Sequence, residues 1–360
     1  MTHALSPASR ADLHRALDAS LPFGPSYGGA TGLTLSSHLP MVLIALHRLG
    51  APARALERQG ASWRARLPVQ TAAAGIAPAQ PPAYGASYAE WLRHVEVHEA
   101  EAAPDPLLQA HLPALLAAPE TAAFHGAIRL AYACDSGHRG EFLHALAAWC
   151  ATFRSLGPVP EATAAAASPE ARAASDKEDR VDDAASVFAL RAALEAARAD
   201  PAMTMAPRQD TTIFADMQLA ADRPAFATHL ARARPSLDTL AEAALAVYLA
   251  TRDFTALHLV TGMHAARVLL ARVPMDDDAR AAALHRLWRA WLAAWVSIGS
   301  PAPDWAAVRA GSASEGDWEA ARPALFETPN DHTIKLADAA REEWRHRGWP
   351  GYARCLPVAR

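Results

Sequence analysis

Cysteine, lysine and long apolar runs are all scarce in this sequence of 360 residues. The three cysteines (Cys134, Cys150 and Cys355) form no CxxC pair and leave an odd thiol, so neither a disulfide framework nor a thiolate zinc site is indicated. No apolar run approaches the roughly 20 residues of a membrane-spanning helix, and the N-terminus lacks the basic-then-apolar pattern of a signal peptide. These absences predict a cytoplasmic protein that makes no contact with a membrane.

A surplus of charge of one sign is also missing. The formal net charge is −4 and the charged residues are interspersed, so nucleic acid is not expected as a partner. The motifs of P-loop ATPases, GxSxG hydrolases and HExxH zincins are absent. The string nearest to a dinucleotide-binding GxGxxG runs from Tyr27 to Gly32, and no predicted strand precedes it. The sequence therefore offers a nicotinamide or flavin cofactor no recognisable Rossmann-type site.

Alanine and leucine dominate what is present. Runs of β-branched residues are rare, and apolar residues recur at intervals of three and four, which is the period of a helix. We therefore predict an all-α fold, a single compact multi-helix domain over residues 1–360. A stretch rich in alanine, proline and charge predicts a loop insertion around residues 157–182. Asn330 or Asp331 is suited to cap the late helix that carries Lys335.

Lys335 stands out because only two of the 34 basic side chains are lysines. The other, Lys177, lies in the charged low-complexity stretch. Arginine stays charged, whereas a buried lysine can lose its proton and react as a neutral amine. Either Lys335 has a role that arginine cannot fill, or a drift towards arginine left a stray lysine.

Five of the 16 histidines lie in or beside apolar helical segments. Each could bind a metal or face a cavity. Alternatively, each could be a core residue with its hydrogen bonds made inside the protein, or an exposed residue in the first turn of a helix. They are His38, His125, His258, His264 and His332. His258 and His264 are six residues apart, or about 120° on a straight helix, so both cannot point squarely at one atom. His332 and Lys335 are three apart and share a face.

His125 also begins a polar stripe on an otherwise apolar helix. Arg129 and Tyr132 follow it at positions i+4 and i+7, which lie on the same side of the helix. A solvated surface stripe would be longer and more highly charged. The pattern therefore favours a cavity-facing position for His125.

Several of these strings together resemble the questin oxidase-like family, which is known from fungal aromatic polyketide pathways and also occurs in bacteria. The matching segments appear in family order and span most of the chain: Ser37 to Met41 with Ala45 to Ala51, Phe124 to Tyr132, Leu257 to Ala265, and His332 to Leu336. Ser37 stands where asparagine is common, and this chain is shorter than the fungal members.

The resemblance implies an oxidoreductase that opens a ring of a polycyclic aromatic or quinone-like substrate. One member type holds a mononuclear non-haem iron with four histidines and a carboxylated lysine. The resemblance thus implies Fe(II), or another divalent transition metal, and dioxygen as reactants of this protein. Carboxylated Lys335 would be one ligand, and the candidate histidines number one more than needed. Arg129, Tyr132 and Tyr27 are candidates to orient a phenolate or quinone oxygen of a small aromatic substrate.

Other functions fit the same residues. Older descriptions of the family imply a Baeyer–Villiger-type oxidase that uses NADPH. A carboxylated lysine also bridges two metals in some hydrolases, although those need aspartate ligands that are not evident here. A third reading is a non-enzymatic helical protein whose histidines line an apolar ligand cavity. The residues alone favour no particular oligomeric state.

Overall fold

The computed structural model describes residues 6–28, 34–70, 77–98, 102–157, 182–208 and 211–357, with only the backbone of 182–184. The α-helices are α1 (Arg10–Asp18), α2 (Leu39–Arg48), α3 (Ala53–Arg64), α4 (Tyr88–His98), α5 (Pro104–Leu115), α6 (His125–Ser136), α7 (Arg139–Thr152), α8 (Asp182–Ala199), α9 (Ile213–Ala221), α10 (Phe226–Leu230), α11 (Leu237–Thr251), α12 (Phe254–Leu270), α13 (Asp277–Ser297), α14 (Trp305–Arg309), α15 (Glu315–Glu327) and α16 (Asp331–Arg347). Short 3₁₀ helices cover Pro201–Met203 and Pro350–Cys355. The predicted all-α class is confirmed.

One small hairpin was not predicted. Strand β1 (Ser26–Gly28) pairs antiparallel with β2 (Thr34–Ser36), and Tyr27 lies opposite Leu35. Three-residue strands are too short to show a period of two in the sequence. The predicted loop insertion around 157–182 lies, apart from its two end residues, outside the described residues.

Two helices are buried almost all round. Every residue from Leu39 to Leu46 in α2 is buried, as is every residue from Thr255 to Ala266 in α12. A helix that is apolar on all faces belongs to the interior of a protein. In the part of the chain that the structure describes, no helix is long and apolar enough to cross a lipid bilayer.

Four helices form a closed ring of contacts around the centre of the fold. Helix α6 packs against α2 and α12, and α16 packs against the same two helices. Gly262 allows α12 to approach closely, since a Cβ there would lie 3.0 Å from the Phe124 ring. Gly126 does the same for α7, since its Cβ would lie 2.5 Å from the Trp149 ring. This ring of helices brings together side chains that are far apart in sequence.

Candidate metal centre

Four histidines, three within these helices and one immediately before α2, converge in the interior. His38 immediately precedes α2, His125 begins α6, His258 lies in α12 and His332 lies in the first turn of α16. Neighbouring ring centroids are 4.6 to 5.2 Å apart. The Nε2 atoms of His38 and His125 are 2.7 Å apart. Ligand atoms of His38, His125 and His332 all lie within 4.8 Å of one another, which is close enough to hold one metal ion.

Main-chain carbonyl groups hold two of the imidazoles by their Nδ1 atoms. The His125 Nδ1 donates to the Ala122 carbonyl oxygen at 2.5 Å, and the His258 Nδ1 donates to the Phe254 carbonyl oxygen at 2.8 Å. A carbonyl oxygen only accepts hydrogen bonds, so both Nδ1 atoms carry the proton. In a neutral imidazole, the Nε2 atom then keeps its lone pair for another partner.

A left-handed turn presents His125. Ala122, Ala123 and Phe124 have φ angles of 50°, 58° and 66°, a conformation that costs a non-glycine residue on the order of 1–3 kcal/mol. The buried Phe124 ring packs beside Gly262 of α12, and this packing holds the turn in place. The turn therefore fixes both the His125 ring and the carbonyl group that accepts its proton.

Asp331 holds the other two imidazoles. One of its carboxylate oxygens bonds the His38 Nδ1, and the other lies 3.3 Å from the His332 Nδ1. Asn330 caps α16, because its Oδ1 accepts from the backbone N–H groups of His332 and Thr333. Asp331 is therefore free to face the imidazoles. The sequence suggested only a capping role for Asp331, because its partner His38 is 293 residues away.

The four imidazoles are held in the neutral form that binds metals. Burial, followed by the positive charge of Lys335, lowers the pKa of His38 to about 3. Burial also lowers the pKa of His332, and it lowers the pKa values of His125 and His258 well below the usual range. The Nε2 atoms of His258 and His332 are buried and have no hydrogen-bond partner among the described residues. Such unpartnered polar atoms are uncommon in protein interiors and call for an explanation.

Lys335 lies beside this group, one turn after His332 in α16. Lys335 is 2% exposed. Burial lowers the pKa of its amine to about 8, although the charge of Asp331 acts in the opposite direction. The charge of Lys335 in turn lowers the pKa values of all four histidines. A buried amine close to four neutral imidazoles is therefore part of the same site.

This donor set fits a transition-metal ion. Ligand atoms of His38, His125 and His332 lie within 4.8 Å of one another, the His258 ring packs beside them, and the Nε2 atoms of His258 and His332 have no other partner among the described residues. Imidazole nitrogens suit iron, copper, nickel or zinc, and not the hard ions calcium and magnesium.

The whole site lies inside a segment that matches a protein family. A family model described as Questin oxidase-like matches residues 35–340. The chain belongs to the questin oxidase-like family. The resemblance seen in the sequence is therefore confirmed, and the family implies an oxidase. A search of curated proteins finds no match to the chain.

His264, the fifth candidate of this questin oxidase-like chain, has different partners. Its Nδ1 lies 3.0 Å from a carboxylate oxygen of Glu343, which also accepts from Arg267 at 2.9 Å. It lines a small separate cavity with Arg48 and Tyr132. The structure thus brings four of the five histidines together near Lys335. His264 instead links α12 to α16 through its contact with Glu343.

The three residues predicted to orient substrate lie in three different surroundings. The Arg129 guanidinium makes a buried two-pronged ion pair with Glu141, at 2.7 and 3.0 Å. The buried Tyr132 hydroxyl donates to the main-chain oxygen of Lys335 at 3.4 Å. Tyr27 is half-buried in β1, and its ring meets the Trp63 ring edge-on. Arg129 and Tyr132 are therefore engaged in contacts within the protein, whereas Tyr27 is partly open to solvent.

Two features open towards the centre from outside. A narrow cleft is lined by His125, Arg129, Ser37, Met41 and Thr152, among others. Phe254 is 53% exposed, and its ring contacts the rings of both His258 and His332 edge-on, with centroids 4.7 and 4.6 Å away. No sequence pattern distinguished Phe254 from an ordinary first residue of an apolar helix.

Proposed function

We propose that this questin oxidase-like protein is an iron(II)-dependent oxygenase that cleaves a ring of a polycyclic aromatic or quinone-like substrate. The observation that carries the proposal is the set of four buried imidazoles near the buried Lys335 amine, each held at Nδ1, with the Nε2 atoms of His38 and His125 facing each other and those of His258 and His332 facing no partner among the described residues. The family supports an oxidase, and the donor set supports a transition metal.

In this proposal the metal is held by His38, His125, His258, His332 and a carboxylated Lys335. The lowered pKa of Lys335, about 8, leaves a fraction of the amine neutral at physiological pH. The neutral nitrogen attacks carbon dioxide, an N–C bond forms, and one proton passes from the nitrogen to solvent. The resulting carbamate is an anionic oxygen donor that is longer than aspartate or glutamate. It offsets part of the charge of a divalent ion that four neutral imidazoles leave unbalanced.

Iron(II), when bound, supplies the ability to activate dioxygen towards an electron-rich ring. The protein contributes a site from which bulk water is largely excluded, since His258 and Lys335 are 1% and 2% exposed. The exposed Phe254 ring is suited to contact a flat aromatic substrate at the edge of the centre, because offset and edge-on contacts between aromatic rings are favourable. A narrow cleft also lies beside His125.

Metal content is the first test. Protein purified without chelator should contain close to one transition-metal ion per chain, and ferrous iron added to stripped protein should raise its melting temperature. Stripped protein that neither binds nor is stabilised by ferrous iron would refute the proposal. Two metal ions per chain would instead favour the dinuclear hydrolase.

The small number of lysines makes the carbamate directly testable. In protein loaded with diamagnetic zinc in place of iron, carbon dioxide labelled with ¹³C should give one carbamate resonance. The resonance should disappear in Lys335→Arg, because arginine does not become a neutral amine, and this variant should also lose the metal while remaining helical by circular dichroism. The matched control is Lys177→Arg, which removes the only other lysine and should change neither signal. Retention of metal in Lys335→Arg would show that Lys335 is not a ligand.

A further inference from the structure

We infer that Asp331 is a positioning residue for the metal centre, one that fixes two imidazoles at once in the tautomer able to bind a metal. This inference rests on the proposed function. The supporting observation is a single carboxylate whose two oxygens face the Nδ1 atoms of His38 and His332, at the starts of two different helices. Carboxylates in this position orient a ligating imidazole and raise its basicity.

Asp331 differs from the other anchors of the site. His125 and His258 donate to main-chain carbonyl oxygens, which no substitution removes. Among the described contacts of the four imidazoles, Asp331 provides the only side-chain anchor at Nδ1. Its side chain is 17% exposed and sits where the start of α16 meets the start of α2. One substitution at this position therefore tests half of the ligand set.

The chemistry separates an anchoring role from a helix-capping role. A carboxylate accepts from both Nδ1–H groups, whereas the asparagine amide has one accepting oxygen and a donating NH₂ group. In Asp331→Asn, one imidazole faces that NH₂ group and must offer its Nδ1 lone pair, which moves its proton to Nε2, the atom that would bind the metal. In Asp331→Ala, the imidazole loses its partner but keeps both tautomers. Asparagine is therefore expected to disrupt metal binding at least as much as alanine.

Cobalt(II) is a suitable probe because its binding is followed by visible absorption without any substrate. We expect both Asp331 variants to bind cobalt about 10- to 100-fold more weakly than the unaltered protein, with a changed absorption spectrum. The matched control is Glu343→Gln, which removes the carboxylate from His264, the histidine outside the cluster. This control should bind cobalt with unchanged affinity and an unchanged spectrum.

A second measurement needs no metal. In stripped protein labelled with ¹⁵N, ring correlation spectra report which nitrogen of each histidine carries the proton. His38 and His332 should be Nδ1-protonated in the unaltered protein, and at least one should shift towards the Nε2-protonated form in Asp331→Asn. Unchanged tautomers together with unchanged cobalt affinity would overturn the inference while the proposed function stands. An unaltered protein that binds neither cobalt nor iron would overturn both.

Discussion

Replacing Lys335 with methionine is expected to stabilise the metal-free protein, although it removes the residue on which the proposed function depends. Lys335 is 2% exposed, and no ion pair among the described residues involves its amine. Burial is unfavourable for the charged form and outweighs the attraction of Asp331, which is why the pKa of the amine falls to about 8. Methionine has a similar length, carries no charge and adapts to irregular spaces in a core.

The size of the gain follows from the two pKa values of the amine. The folded value is about 8 and the ordinary value is 10.5, so the unfolded chain binds the proton more tightly. The free-energy cost of burying the charged amine therefore has its full value below pH 8 and is absent above pH 10.5. We expect Lys335→Met to be more stable by about 3 kcal/mol at pH 7, about 2 kcal/mol at pH 9 and about 1 kcal/mol at pH 10.

Urea unfolding followed by circular dichroism measures this difference. The buffers must contain chelator and be free of carbon dioxide, so that neither a metal nor a carbamate changes the starting state. Lys177→Met is the control for the loss of a lysine, and its effect should not follow the same pH dependence. A Lys335→Met variant that is less stable than the unaltered protein at pH 7, or a difference that does not shrink between pH 8 and pH 10, would show that burial of the charged amine does not lower the stability.

Three further substitutions test other parts of the structure. Gly262→Ala places a methyl group 3.0 Å from the Phe124 ring. We therefore expect the free energy of unfolding to fall by about 1–3 kcal/mol and cobalt binding to weaken. The control Gly316→Ala, at an exposed position, should change neither quantity. Burial alone would raise the pKa of Glu343, but hydrogen bonds from its partners lower it to about 2 from 4.5, so its contribution to stability is lost as the pH falls through this range. The unaltered protein should therefore lose about 2 kcal/mol more than Glu343→Gln between pH 5 and pH 3 in urea unfolding, and equal losses would contradict this assignment. Phe254→Ala keeps the carbonyl group that holds the neighbouring histidine, so it should raise the KM for an aromatic substrate and leave metal content unchanged; a loss of metal would show that the ring supports the centre itself.

The fold class followed from the sequence because helix formation depends on short-range patterns. Alanine-rich segments with apolar residues at intervals of three and four became the helices of the structure, and Asn330, one of two possible caps, begins α16. The β1–β2 hairpin escaped prediction because its strands are only three residues long. Local signals were therefore sufficient for long elements and insufficient for short ones.

The site was only partly predictable, because partners distant in sequence decide it. His258 and His264 lie in the same apolar helix, and their separation around the axis indicated that both could not face one atom. It did not indicate which one faced the cluster, because that depends on α6 packing on one side of α12 and on Glu343 reaching His264 on another. Arg129 appeared free to meet a substrate until the structure paired it with Glu141.

The least favourable features of this fold lie around one point. They include the left-handed turn before His125, the unpartnered Nε2 atoms of His258 and His332, and the buried amine of Lys335. Each is costly in isolation, and natural sequences retain such features mainly where function requires them. A metal ion bound at Nε2 and at the lysine carbamate would satisfy these polar groups together, and it would do so only in the folded state. Metal affinity and folding stability are then coupled, so a variant that folds better without metal, as expected for Lys335→Met, should be one that no longer gains stability from iron.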